Sequence, residues 1–181
     1  ARRAPHADYF HMDAAHSNRK VKVSLEESLA ELNDLIGLAE VKETINRIVK
    51  LVEYDKKRAY MLSIEKNEQP SYHFAFSGNP GTGKTTVARI LGDIFYSLGI
   101  LETGQLVEVD RSDLVGGYVG QTAQKTKAVI ESAMGGVLFI DEAYSLASSD
   151  SDSLDYGSEA IDTLIKAMED HRNDFIVILA G

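Results

Sequence analysis

Eight consecutive residues, Gly78-Asn79-Pro80-Gly81-Thr82-Gly83-Lys84-Thr85, space three glycines, an ammonium and a hydroxyl as an anion-holding turn requires, and they match the phosphate-loop pattern at each required position. Glycine lets the backbone turn its N–H groups inward onto phosphate oxygens, and a helix starting there adds about half a positive charge at the same point. Lys84 would bring a full charge to the β- and γ-phosphates, while the Thr85 hydroxyl can ligate Mg²⁺. The context suits the mechanism. An apolar run, Phe74-Ala75-Phe76, leads in as a strand, and Val87, Ile90, Leu91 and Ile94 lead out with helical spacing. The plain alternative, a glycine-rich turn that merely starts a helix, accounts for less of this context. The segment from Gly78 to Thr85, with Thr86 after it, is the expected nucleotide-binding stretch.

A second constellation is Val137-Leu138-Phe139-Ile140-Asp141-Glu142, four apolar residues ending in two carboxylates. In an open parallel sheet, ligands sit beyond the carboxyl ends of strands, where both this pair and Gly78 fall. Asp141 is then placed to orient Mg²⁺ and Glu142 to polarise the water attacking the γ-phosphorus, since positioning and charge neutralisation dominate phosphoryl transfer. Glu142 and Lys84 are the expected catalytic pair, with Thr85 and Asp141 as metal ligands. Two exposed carboxylates capping a strand are the ordinary reading of such a pair taken alone.

These residues need a scaffold, and the rest of the chain spells one. Ser24 and Glu27 have the form of a capping box, followed by Leu25, Leu29, Leu32 and Ile36 at helical intervals up to Gly37. A second amphipathic helix is expected over 38–62, with Val41, Ile45, Ile48, Val49 and Val52 as its apolar stripe, and a loop over 65–71. Strands are expected at 72–77, 106–110, 137–141 and 175–180, alternating with helices at 84–98, 122–134 and 158–171. That order predicts a parallel sheet covered by helices on both faces, a three-layer αβα sandwich. The domain reading is an extension over 1–23, a helical segment over 24–71 and the phosphate-loop core over 72–181.

Bulk properties narrow the class. The chain has 181 residues, enough for one full core, and 44% apolar with 26% charged residues is ordinary for a globular protein. A net charge of −9 disfavours binding to nucleic-acid backbones or anionic lipid. With no cysteine, disulfides and thiolate sites are excluded and the cytoplasm is the default compartment; no apolar run is long enough to span a bilayer. The first residue is not Met, as expected of a processed or excised piece. His6, His11 and His16 lie in the extension, but a spacing of five does not put side chains on one helix face, so a metal site is not expected there. The acidic, serine-rich run SSDSDS over 148–153 reads as a solvated loop.

Taken together, these residues resemble the AAA+ ATPases, and within them the family of red-type Rubisco activase CbbX (CfxQ) and stage V sporulation protein K. The similarity runs from about Leu25 to Gly181. It is carried by Leu35-Ile36-Gly37-Leu38 and Val41-Lys42, by the phosphate loop, and by the stretch Asp113 to Ala123. It continues through Ala133 to Tyr144 and on to Ile178-Leu179-Ala180-Gly181. The resemblance implies an AAA+ large subdomain with five parallel strands, ATP hydrolysis in a ring, usually hexameric, and mechanical work on a protein client. It implies that Tyr118-Val119-Gly120 is the aromatic-hydrophobic-glycine triplet lining the pore, and that Ile36 and Gly37 approach the adenine, though Ile36 could equally pack in the core as its helix ends. It places the arginine finger, the sensors, the last strand and the helical lid at or beyond Gly181, so this stretch alone is expected to hydrolyse ATP weakly. The leading expectation is a Mg²⁺-ATP hydrolase that remodels a protein. A nucleotide-gated assembly module is the alternative of another class, and a DNA-directed motor is disfavoured by charge.

Overall fold

A computed structural model describes residues 24–62, 70–79, 81–118, 120–147 and 156–181. The extension over 1–23 with its three histidines, residues 63–69, Pro80, Val119 and the SSDSDS run lie outside the described residues. The element order is α1 (Leu25–Asp34), α2 (Ala39–Leu62), β1 (Phe74–Phe76), α3 (Lys84–Ser97), β2 (Leu106–Val109) and α4 (Arg111–Leu114), then α5 (Gln121–Ala133), β3 (Val137–Ile140), a 3₁₀ turn (Ala143–Leu146), α6 (Tyr156–Asp170) and β4 (Ile176–Ala180).

The four strands form one parallel sheet in the order β1-β4-β3-β2, with Phe74 opposite Ile178, Val137 opposite Ile176 and Leu106 opposite Val137. Strand side chains alternate between two cores, as a period of two requires. Val137, Phe139, Ile176 and Ile178 join the core under α1, α2 and α3, while Leu138, Ile140 and Val177 join the one that includes Leu114, Ile130 and Leu164 of α4, α5 and α6. All four residues of β3 are 0% exposed, the burial their unbroken apolar run predicts for a strand covered on both faces. This is the αβα sandwich expected from the sequence. With α3 on one face and α5 and α6 on the other, the chain crosses from β1 at one edge of the sheet to β2 at the other and returns through β3 and β4, which brings the carboxyl ends of all four parallel strands to one side.

The first helix begins as its capping box predicts: the Glu27 N–H donates to Ser24 Oγ at 3.2 Å and the Ser24 N–H to Glu27 Oε2 at 2.8 Å, which holds the Glu27 carboxyl below its ordinary pKa. Its end differs from expectation. Ile36 does not continue the apolar stripe but stands 99% exposed, and Leu35 packs inward instead, because the helix stops at Asp34 and the chain leaves in extended backbone. The Lys42 ammonium caps the open end, donating to the carbonyls of Asn33 and Leu35. The short helix α4 and the 3₁₀ turn were not foreseen; α4 has its own capping box, with Asp110 and Asp113 in the two acidic positions. At the opposite end of the sheet, His73 Nδ1 accepts the Val177 N–H at 3.1 Å, and burial lowers its pKa.

The helix that follows the phosphate loop lies directly on the backbone. A Cβ added at Gly92 would sit 2.6 Å from the Gly104 carbonyl oxygen, and one at Gly104 would sit 2.8 Å from the Gly92 oxygen. Both partners are main chain and cannot swing aside, so Gly92→Ala should destabilise the fold by about 1–3 kcal/mol in urea denaturation. Gly117→Ala, where a Cβ meets nothing within 4 Å, should move stability by no more than about 0.5 kcal/mol.

Candidate functional site

The phosphate loop is anchored on the sheet. The Gly181 N–H donates to the Phe76 carbonyl at 2.9 Å and the Gly78 N–H to the Gly181 carbonyl at 3.0 Å, so the β1–β4 ladder runs on into the first residue of the loop. Gly81 and Gly83 then take left-handed φ values of 77° and 85°, a conformation that costs glycine little and other residues more. Gly83 is also the residue from which α3 begins, with no side-chain cap on its first-turn amides. An uncapped helix start behind two glycine reversals is a concave array of N–H donors with the positive end of a dipole behind it, which is an anion site. The Lys84 ammonium folds back over the loop and donates to the Gly78 carbonyl at 2.8 Å, and the Thr82 hydroxyl donates to the Asn79 carbonyl at 2.8 Å.

The acidic pair arrives from β3, on the far side of β4 from β1. The Asp141 N–H donates to the Val109 carbonyl at 2.9 Å, continuing the β2–β3 ladder by one bond, and Asp141 Oδ1 accepts the Glu142 N–H at 2.9 Å. Glu142 has φ +47° and ψ 41°, left-handed backbone in a residue that is not glycine. Such strain costs about 1–3 kcal/mol and persists where the surroundings enforce it. Here the enforcement comes from the 3₁₀ turn that follows, with the Ser145 N–H on the Glu142 carbonyl at 2.8 Å and Arg111 of α4 gripping the Ser145 carbonyl.

Both groups meet in one cavity of about 370 Å³, lined by Gly78, Gly81, Gly83, Lys84 and Thr85 on one side, by Asp141, Glu142 and Tyr144 on the other, and by Gly181. Tyr144 was not singled out in the sequence. The signal was its place two residues beyond Glu142, and a Cβ on Gly181 would touch its ring at 3.1 Å. Asn79, Thr82 and Thr86 are exposed and are not among the cavity-lining residues. Nor are Ile36 and Gly37, and the exposure of Ile36 overturns the reading in which it packs in the core. The donor set fits a magnesium nucleotide. Thr85 and Asp141 offer oxygen to a hard cation, and no group of three or more His, Cys, Asp or Glu capable of holding a metal occurs among the described residues. Mg²⁺ commonly takes one or two protein oxygens and completes its shell with water and phosphate, the kind of ligand Thr85 and Asp141 could supply.

The third expected element lies elsewhere. Tyr118 is 74% exposed and does not line the cavity. Its loop is tied down at the root, where the Gly116 N–H donates to the buried Thr122 hydroxyl at 3.0 Å, the Thr126 hydroxyl donates to the Leu114 carbonyl at 3.0 Å, and the Gln121 N–H donates to the Tyr118 carbonyl at 3.2 Å. Gly120, at φ 81°, turns the chain into α5. An exposed ring thus stands on a hydrogen-bonded base.

Residues 74–181 match the family described as "ATPase family associated with various cellular activities (AAA)". The chain is 49% identical over 158 residues to stage V sporulation protein K of Bacillus subtilis, covering 87% of this chain and 48% of that protein. It is 52% identical over 161 residues to the CfxQ homolog of Galdieria sulphuraria, covering 88% and 52% of the two. To the chloroplastic ribulose bisphosphate carboxylase/oxygenase activase of Cyanidioschyzon merolae it is 48% identical over 161 residues, covering 88% and 54%. The chain therefore spans about half the length of the curated relatives it matches. Among solved structures it resembles the AAA domain of FIGL-1, crystallised with ADP, with a TM-score of 0.53 at 23% identity over 82% of this chain and 47% of that one, a likeness of fold.

Proposed function

Because this chain belongs to the AAA family of ATPases, we propose that it is the ATP-binding and ATP-hydrolysing core of a protein-remodelling motor of the CbbX, CfxQ and stage V sporulation protein K type. The observation that carries the reading is the meeting of the glycine loop, Lys84, Thr85, Asp141 and Glu142 in a single cavity at the carboxyl ends of β1 and β3.

In this reading the loop amides and the Lys84 ammonium hold the β- and γ-phosphates, and Thr85 and Asp141 hold Mg²⁺. The ion supplies neutralisation of charge on the phosphates. Glu142, held at a fixed angle by its strained backbone, orients a water toward the γ-phosphorus and takes its proton. The exposed Ile36 side chain and the adjoining Gly37, at φ 76°, offer the adenine an apolar edge. Tyr118, Val119 and Gly120 grip the client, and the whole protein works as a homo-oligomeric ring, a hexamer, in the cytoplasm. Its partner is a protein rather than nucleic acid, in keeping with the net charge of −9. No helix among the described residues is long and apolar enough to cross a membrane.

The test is an ATPase assay on the full-length protein with candidate protein clients and with single-stranded and duplex DNA. Client protein should stimulate turnover and DNA should not. Tyr118→Ala should leave nucleotide affinity within about twofold while lowering client stimulation about tenfold or more, because the ring does not line the cavity. Stimulation by DNA would overturn the choice of partner. Client binding that follows nucleotide occupancy without turnover would make the protein a gated assembly module instead.

A further inference from the structure

Strand β2 reads Leu-Val-Glu-Val, and its residues alternate between the two cores: Leu106 packs under α3, whereas Val107 and Val109 face the other layer. Glu108 shares the side of Leu106, so a carboxylate stands on the α3 face of the sheet near the strand's carboxyl end. It is paired in register with Phe139, two residues before Asp141. There it meets the first turn of α3, where the Thr85 hydroxyl donates to Glu108 Oε1 at 3.1 Å. Glu108 forms no salt bridge among the described residues.

A threonine hydroxyl has one proton to donate and lone pairs to offer. It can ligate a cation only through a lone pair, which requires its proton to point away from the metal, and an outer acceptor that takes this proton fixes the rotor and makes the oxygen a better ligand. Glu108 is placed to be that acceptor. Its carboxylate also puts negative charge beside the phosphate-binding loop, which attracts a divalent cation and repels a triphosphate that carries none. Resting on the magnesium-nucleotide reading above, we propose that Glu108 is a positioning residue for the metal: it orients the Thr85 hydroxyl and makes the site select magnesium nucleotide over free nucleotide.

The experiment is equilibrium binding of a fluorescent ATP analogue to the full chain across a series of free Mg²⁺ concentrations and, separately, in EDTA, for wild type, Glu108→Gln and Glu108→Ala. The half-saturating Mg²⁺ concentration should rise several-fold in Glu108→Gln, whose amide oxygen still accepts the hydroxyl proton, and about tenfold or more in Glu108→Ala, which has no acceptor. In EDTA both variants should bind the analogue as tightly as wild type or up to about threefold tighter, because a repelling charge is gone. This opposite response with and without metal separates a positioning role from a structural one, which would weaken both. An unchanged magnesium dependence, or parallel weakening in both conditions, overturns the proposal. Wild type failing to bind the analogue at all would instead overturn the nucleotide reading on which it rests.

Discussion

Lys84→Ala should lose nucleotide affinity by about a hundredfold or more in calorimetric titration with Mg²⁺-ATP. Its ammonium folds over the loop onto the Gly78 carbonyl at 2.8 Å and lines the cavity, so it is the full positive charge at the point where a triphosphate's charge would sit. A unit pair at contact near a protein surface is worth about 4 kcal/mol, and each ~1.4 kcal/mol is tenfold in affinity. Water entering the gap and the remaining amides recover part of that, which leaves a loss nearer two decades than three. Thermal unfolding of the variant without nucleotide should match wild type to within a few degrees, since one exposed hydrogen bond contributes about 1 kcal/mol. Unchanged ATP affinity would refute the assignment of this loop as the phosphate site.

Glu142→Gln should behave in the opposite way in the full-length protein, with ATP binding retained within about threefold and turnover reduced by about two to four decades. The amide keeps the length and shape of the side chain and the left-handed backbone of residue 142, but it cannot take a proton from water. The pair of results is diagnostic, because a merely structural carboxylate would lower binding and turnover together. Normal hydrolysis by this variant would remove Glu142 from the catalytic role, leaving Asp141 and Glu108 as the acids in reach of Thr85 and the cavity.

Much of this architecture is legible in the sequence. Strands β3 and β4 announced themselves as apolar runs with no polar face, and parallel strands covered by helices on both sides leave no other pattern. The phosphate loop was legible because few sequences can place three glycines, a lysine and a threonine between a strand and an amphipathic helix without the geometry following. What stayed hidden depends on tertiary placement. Ile36 fits a helical period, yet the helix ends two residues earlier and Lys42, from the next helix, caps it. Glu108 looks like one polar residue in a short strand; that it meets Thr85 depends on α3 crossing that face of the sheet. The strain at Glu142 likewise comes from Arg111 and Ser145 holding the following turn, a contact across 34 residues of sequence.

The most direct measurement is a crystal structure of the chain with a non-hydrolysable ATP analogue and Mg²⁺. It should show the β- and γ-phosphates on the amides between Gly81 and Thr85, the Lys84 ammonium beside them, and the metal between the Thr85 hydroxyl and the Asp141 carboxylate. A triphosphate bound away from the glycine turn, or a metal remote from both oxygens, would contradict the account.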